Sequence, residues 1–171
     1  FVAVLLMTIL FVGIMAFINF RQNTRAFKQQ EINEIERIHN RVLETFNYII
    51  GQYSAEDENL RTVLGNRVFE LSNVYRTNIN IYSLNGLLLG SNRLAEDSLS
   101  SETIDQLKKV ETYTTTDKEE DHMIAYNNYS YINIDNQPVA ILNTLNKIDS
   151  NNNILQSIEY LKYYFFVVVF L

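Results

Sequence analysis

The chain has 171 residues, 47% of them hydrophobic and 20% charged, with a net charge of -6 and no cysteine. An acidic chain lacks the clustered Lys and Arg that displace counterions from nucleic acid, and zero Cys excludes disulfides, thiolate zinc sites, iron–sulfur clusters and a cysteine nucleophile. All 14 Lys+Arg and 20 Asp+Glu lie between Arg21 and Lys162, so both ends are apolar and the middle is one domain's worth of core-forming chain.

Residues 1–20 read FVAVLLMTILFVGIMAFINF without a charge. As a helix rising about 1.5 Å per residue, this run covers the roughly 30 Å hydrocarbon core of a bilayer, and it passes straight into Arg21 and Arg25 without the small-residue cleavage site of a signal peptide. A transmembrane helix is therefore expected at 1–20. At the other end, residues 163–171 (YYFFVVVFL) are too short to span and read as the start of a second transmembrane helix. Tyr160, Tyr163, Tyr164 and Lys162 suit an interfacial belt there. Two spans would put the whole middle on one side of the membrane. A terminal core helix or strand is the other reading of the last residues.

From Arg21 no Gly or Pro interrupts the chain until Gly51, and Ile32, Ile35, Ile38, Val42, Phe46 and Ile49 follow one another in steps of three and four. That spacing predicts a helix over 21–50 continuing from the membrane. Its apolar stripe, Ile35, Ile38, Val42 and Phe46, is either a core face or the seam of a parallel homodimer. A second amphipathic helix is expected from about Ser54 to Arg76 on Leu60, Val63, Leu64, Val68, Leu71 and Val74, with Ser54, Asp57 and Glu58 at its N-terminus.

The period then becomes two. The alternation from Asn78 to Tyr82 predicts a half-buried strand, and Asn85-Gly86 predicts a type I′ hairpin turn back into 87–91. Ser100-Ser101-Glu102 opens a short helix through Val110. Strands are expected at 113–116, 122–134 and 139–145, with a charged turn at 117–121 and a second turn at 135–138. A last helix is expected from about Ile154. The order predicts an α+β domain with an antiparallel sheet of about five strands and a long N-terminal helix across one face.

Catalytic motifs are absent: there is no G-x-S-x-G elbow, H-E-x-x-H, phosphate loop or G-x-G-x-x-G. No catalytic residue, no metal ligand set and no cofactor are expected. His39 lacks the context of a phosphoacceptor and reads as a solvated helix residue. His122 reads as surface beside the charged turn, and 149–153 lacks the glycine and closing Glu of an EF-hand. Asn128-Tyr129-Ser130 is a glycosylation sequon inside an expected strand. A polar-aromatic set remains: Tyr82, Ser91, Arg93, Tyr113, Tyr126, Tyr129 and Asn143. Of these, Arg93, Tyr113, Tyr126, Asn143 and Ser91 are the candidate contacts for a small polar or anionic ligand, with Arg93 as its charged partner. The other reading is that tyrosines decorate an outer sheet face, where they are favoured anyway.

The segment from Asn78 to Asn92 (NINIYSLNGLLLGSN) is similar to the part of Cache-type, PAS-like sensor domains in which a strand turns at Asn-Gly and ends at Ser, especially in kinases of the Bacteroidetes. Residues 138–143 (PVAILN) resemble the last strand of the same domain. With its apolar ends, the chain resembles the extracytoplasmic sensor region of a transmembrane sensor histidine kinase. The resemblance implies a transmembrane helix at 1–20, a signalling helix at 21–50, a Cache/PAS-like sensor domain at 51–149, and a juxtamembrane helix leading into a second span at 150–171. It further implies a periplasmic or extracytoplasmic domain in the bacterial inner membrane, dimeric through its long helices, that senses a ligand or partner and passes helix movement to a cytoplasmic kinase. The alternative is a membrane-anchored scaffold or protein-interaction domain without a kinase output.

Overall fold

The computed structural model describes residues 2–54, 59–93, 95–118 and 123–149. Helix α1 runs Val2–Ile50, as the uninterrupted 3.6-residue pattern requires, and stops where Gly51 donates its N–H to the Asn47 carbonyl at 2.9 Å. After it come α2 (Leu60–Tyr75), β1 (Asn78–Tyr82), β2 (Leu88–Ser91), α3 (Ser101–Leu107), β3 (Thr112–Lys118), β4 (Met123–Ile134) and β5 (Gln137–Asp149). Residues 34–148 form one compact unit, and α1 before Glu34 belongs to another.

The five strands make one sheet in the order β2-β1-β5-β4-β3, so the last strand in sequence is the central one. It pairs antiparallel with β1, Asn80 opposite Asn143 and Tyr82 opposite Ile141. Antiparallel β3 and β4 set Tyr113 opposite Tyr129 and Thr115 opposite Asn127. Alternation along these strands sorts the side chains onto two faces. Ile79 and Ile81 of β1, Ile132 and Ile134 of β4, and Ala140 and Leu142 of β5 pack against Val42, Phe46 and Ile50 of α1 and Leu60, Leu64, Val68 and Leu71 of α2. This is the main core, and both helices lie on the same side of the sheet.

The α1 stripe is thereby assigned. Val42 and Phe46 are completely buried within the single chain, Ile35 is buried and Ile38 is partly buried against the core. The expected dimer seam of Ile35, Ile38, Val42 and Phe46 is thus the helix face that covers the sheet. Val42 and Phe46 therefore have no apolar area left for a second copy.

Turns depart from expectation in an instructive way. Asn85-Gly86 is not a type I′ turn: Gly86 has φ of 83° while Asn85 has no positive φ. Gly86 N–H bonds the Ser83 carbonyl at 2.9 Å and Ser83 N–H the Leu87 carbonyl at 2.8 Å, the pattern of a three-residue loop ending in a left-handed glycine. The double positive φ occurs instead at Asp135 (49°) and Asn136 (65°), which form the two-residue link between β4 and β5. Helix α2 starts at Leu60 with Asn59 before it and no side-chain cap, later than the expected start near Ser54. It ends on Arg76 in the left-handed conformation, whose N–H reaches the Ser72 carbonyl. Ser100 caps α3 as expected, accepting from Thr103 N–H at 3.2 Å. Asp117 and Lys118 lie inside β3 and not in a turn, and residues 119–121 of the expected charged turn, with His122, fall outside the described residues.

Among the described residues no helix is long and apolar enough to cross a membrane. Part of the apolar run at 1–20 falls outside that description, since nothing is described of residue 1 or of the side chains at 2–6, 8, 9 and 12. The expected juxtamembrane helix and second span, 150–171, fall wholly outside the described residues. Of the described apolar side chains on this part of α1, Met7, Leu10, Phe11, Ile14, Met15, Phe17 and Ile18 are exposed. The Arg21 guanidinium sits 5.9 Å over the Phe17 ring where the apolar stretch ends.

Candidate functional site

The sheet face turned away from α1 and α2 is polar and aromatic. The parity that sends Ile79 and Ile81 into the core puts Asn80 and Tyr82 on this other face, and register brings Asn143 of β5, Asn127 and Tyr129 of β4, and Tyr113, Thr115 and Asp117 of β3 to the same side. The segment before α3 and the first turn of α3 close over it with Glu96, Leu99, Glu102 and Thr103, leaving a cleft of about 430 Å³. That volume falls in the range of small-molecule sites.

Two arrangements organise the cleft. Tyr113 and Tyr129 stack with ring centroids 6.3 Å apart and planes inclined by 27°, the offset geometry that cross-strand aromatics favour. Beside them a line of side-chain hydrogen bonds crosses all five strands. Ser91 Oγ donates to Asn80 Oδ1 at 2.6 Å, and Asn80 Nδ2 donates to Asn143 Oδ1 at 2.8 Å. Asn143 Nδ2 in turn reaches Asn127 Oδ1 at 3.4 Å, and Asn127 Nδ2 reaches Asp117 Oδ2 at 3.2 Å. Every donor in the line points toward β3, and the line ends on a carboxylate. Such chains polarise one another.

The local field is negative. Glu96, Glu102 and Asp117 line the cleft, and no Lys, Arg or His does so among the described residues. Burial pushes the Tyr82 hydroxyl up to about 12, with Tyr129 and the Glu96 charge adding to the shift. Tyr129 is also raised, by burial first, against the opposing effect of its bond with Thr115, and with Asp117 and Glu96 contributing. Both phenols are therefore neutral at physiological pH. Among the described residues no group of three or more acids or histidines is placed to hold a metal ion.

Of the candidate ligand contacts, Tyr113 and Asn143 line the cleft, and Ser91 joins it through Asn80. Arg93 and Tyr126 are not brought there. Arg93 is exposed and meets Ser91 through its backbone: its N–H donates to Ser91 Oγ at 3.1 Å, and its carbonyl shares that hydroxyl's one proton with Asn80 Oδ1. Tyr126 pairs with Thr116 on β3, one parity step away from Asn127 and Tyr129, and is buried on the helix-covered face. Glu96, Glu102, Thr115 and Asn127 are cleft residues outside the sequence-derived set. Asn127 and Thr115 could have been found from parity with Tyr129 and Tyr113, whereas the two glutamates lie in and beside a segment without period.

His39 overturns its expected solvated state. It is buried beneath the sheet, with Nδ1 2.8 Å from Thr144 Oγ1 and Nε2 2.8 Å from Ser130 Oγ. Burial lowers its pKa from 6.5 to about 4, so the ring is neutral at pH 7. Ser130 also bonds the Thr112 hydroxyl at 3.0 Å, which ties α1 to three strands. Asn128, the sequon asparagine, is buried in β4 and accepts from Thr114 Oγ1 at 2.7 Å, so the folded chain presents no acceptor amide there.

No family model matches the sequence, and no curated protein matches it either. Among solved structures the chain is similar to the ligand-binding domain of the Campylobacter jejuni chemoreceptor Tlp3 in complex with L-valine, with a TM-score of 0.52 at 16% identity, covering 84% of this chain and 65% of that one. The same domain in complex with 4-methylisoleucine gives a TM-score of 0.53 at 16% identity over 81% of this chain and 61% of that one. The Tlp3 sensory domain also matches at a TM-score of 0.51 and 16% identity, covering 84% and 66%. The chain therefore spans a little under two thirds of the length of these structures and shares the fold of these chemoreceptor ligand-binding domains.

Proposed function

We propose that residues 34–148 form an extracytoplasmic sensor domain that holds a small polar ligand in the cleft beneath α3. The observation that carries this reading is the cleft itself, a concave site of about 430 Å³ on the sheet face left uncovered by α1 and α2. The Tlp3 domains of the same fold are described with L-valine and 4-methylisoleucine bound, which supports a binding role for this architecture without transferring either ligand. Strand β5 forms one wall through Asn143 and, through Thr144, bonds His39 of α1. A ligand that favours one arrangement of this strand would bias the helix, and it can do so only by its differential affinity for the two states.

In this reading the uncharged run at 1–20 anchors the chain in the bacterial inner membrane, and the exposed apolar side chains from Met7 to Ile18 are those that lipid would cover. The output is a cytoplasmic histidine kinase, and this part rests on the sequence resemblance of 78–92 and 138–143. A homodimer through the long helices would use surface beside the buried Val42 and Phe46.

Binding stabilises the folded state by mass action. Thermal unfolding of the full chain in neutral detergent against panels of amines, amino acids and carboxylates is therefore expected to yield compounds that raise the melting temperature. The Tyr113→Ala, Tyr129→Ala double variant should fold and lose that shift. A shift that survives both substitutions puts the ligand elsewhere.

A further inference from the structure

We infer that the ligand is a small organic cation, bearing ammonium groups and no carboxylate, held by the Glu96, Glu102 and Asp117 carboxylates and the tyrosine faces of the cleft. This deepens the reading of the cleft as a ligand site and rests on it. The charge that the cleft supplies selects the ligand. A carboxylate ligand needs donors, and a cationic side chain above all, but no Lys, Arg or His lines the cleft among the described residues. The guanidinium of Arg93, the nearest sequence candidate, stays outside.

The amides do not replace it, because they carry no charge and each already gives an N–H within the row. Asn80 donates to Asn143, Asn143 to Asn127 and Asn127 to Asp117, one after another across the sheet. Among the described residues the charges that the cleft offers a ligand are three carboxylates, set beside the phenols of Tyr82 and Tyr129, which burial and the neighbouring acids keep neutral. The ring faces of Tyr113 and Tyr129 add the negative quadrupole that attracts an ammonium group. A ligand made of donors and positive charge satisfies this surface, and an amino acid leaves its carboxylate facing acids.

Titration calorimetry on the full chain in neutral detergent, with 1,4-diaminobutane, succinate and L-valine as probes, tests this. Diaminobutane is expected to bind saturably and more weakly as salt is raised, since exposed carboxylates are screened. Glu96→Gln with Asp117→Asn should weaken it about tenfold or more, the loss expected for hydrogen bonds to charged groups. Both side chains are exposed, and an unchanged melting temperature of the unliganded variant verifies that it is folded. Failure of diaminobutane to bind, or binding unchanged by both substitutions, overturns the cation assignment. If succinate or L-valine binds instead and Tyr113→Ala abolishes it, the cleft reading survives and the cation assignment is wrong. Silence from all three probes, with no hit in the thermal panels, removes both.

Discussion

His39 is held by two hydroxyls, Thr144 and Ser130, in a place where water does not reach. Its sequence context, Glu36-Arg37-Ile38-His39-Asn40-Arg41, is charged on both sides. The helical period does put position 39 four residues after Ile35 and three before Val42, on the buried face, but its polar ring and charged neighbours pointed to solvent. The pH consequence follows from the sign of the shift. The folded ring titrates near 4 and the unfolded ring near 6.5, so below pH 6.5 the unfolded state takes up a proton that the folded state refuses. Stability should be flat above about pH 7 and fall as pH drops from 6.5 toward 4, by up to the order of 3 kcal/mol. Urea midpoints at pH 7.5 and 5 should differ for the wild type and differ less for His39→Gln, which is itself destabilised because two buried hydroxyls lose partners, at about 1–3 kcal/mol each. An equal pH dependence in both proteins would mean that another group titrates. Tyr126 and Arg93 illustrate the opposite difficulty: residue type suggested a site, but one parity step and one backbone contact placed them away from it.

At the scale of elements, helix existence and strand parity were legible because 3.6- and 2-residue patterns are strong over 21–50 and 78–82. Turn geometry was less so. Asn85-Gly86 carries the sequence of a type I′ turn, yet that conformation went to Asp135-Asn136, where β4 and β5 are joined by only two residues and both must adopt positive φ. The crossing of α2 over β2 was not legible either, because it depends on two glycines from distant segments. A Cβ at Gly90 would lie 2.9 Å from the Gly65 Cα, a backbone atom that cannot rotate away. Gly90→Ala should therefore force α2 off the strand and destabilise by about 1–3 kcal/mol, as overpacking does. By contrast, a Cβ at Gly65 meets the Leu89 carbonyl at 3.4 Å and gains helix propensity of up to about 1 kcal/mol. Gly65→Ala should be near neutral in the same denaturation assay, and equal losses at both positions would argue against a crossing this close.

At the scale of the molecule, the class, the element order and the strand count followed from pattern, but the strand order did not. Nothing in one sequence says that β5 inserts between β1 and β4, and only that insertion lines up Ser91, Asn80, Asn143 and Asn127 into one row ending at Asp117. The row joins the strands that wall the cleft, and β5 reaches α1 through Thr144 and His39. The central claim is that the ligand sits on this face. The direct measurement is fluorine NMR of the full chain carrying 3-fluorotyrosine, each resonance assigned by single Tyr→Phe variants, titrated with the compounds that raise the melting temperature. The Tyr113 and Tyr129 resonances are expected to move together and saturably, while Tyr126 on the helix-covered face and Tyr48 on the exposed side of α1 stay fixed. Movement of Tyr126 or Tyr48 with Tyr113 and Tyr129 unmoved would contradict the account.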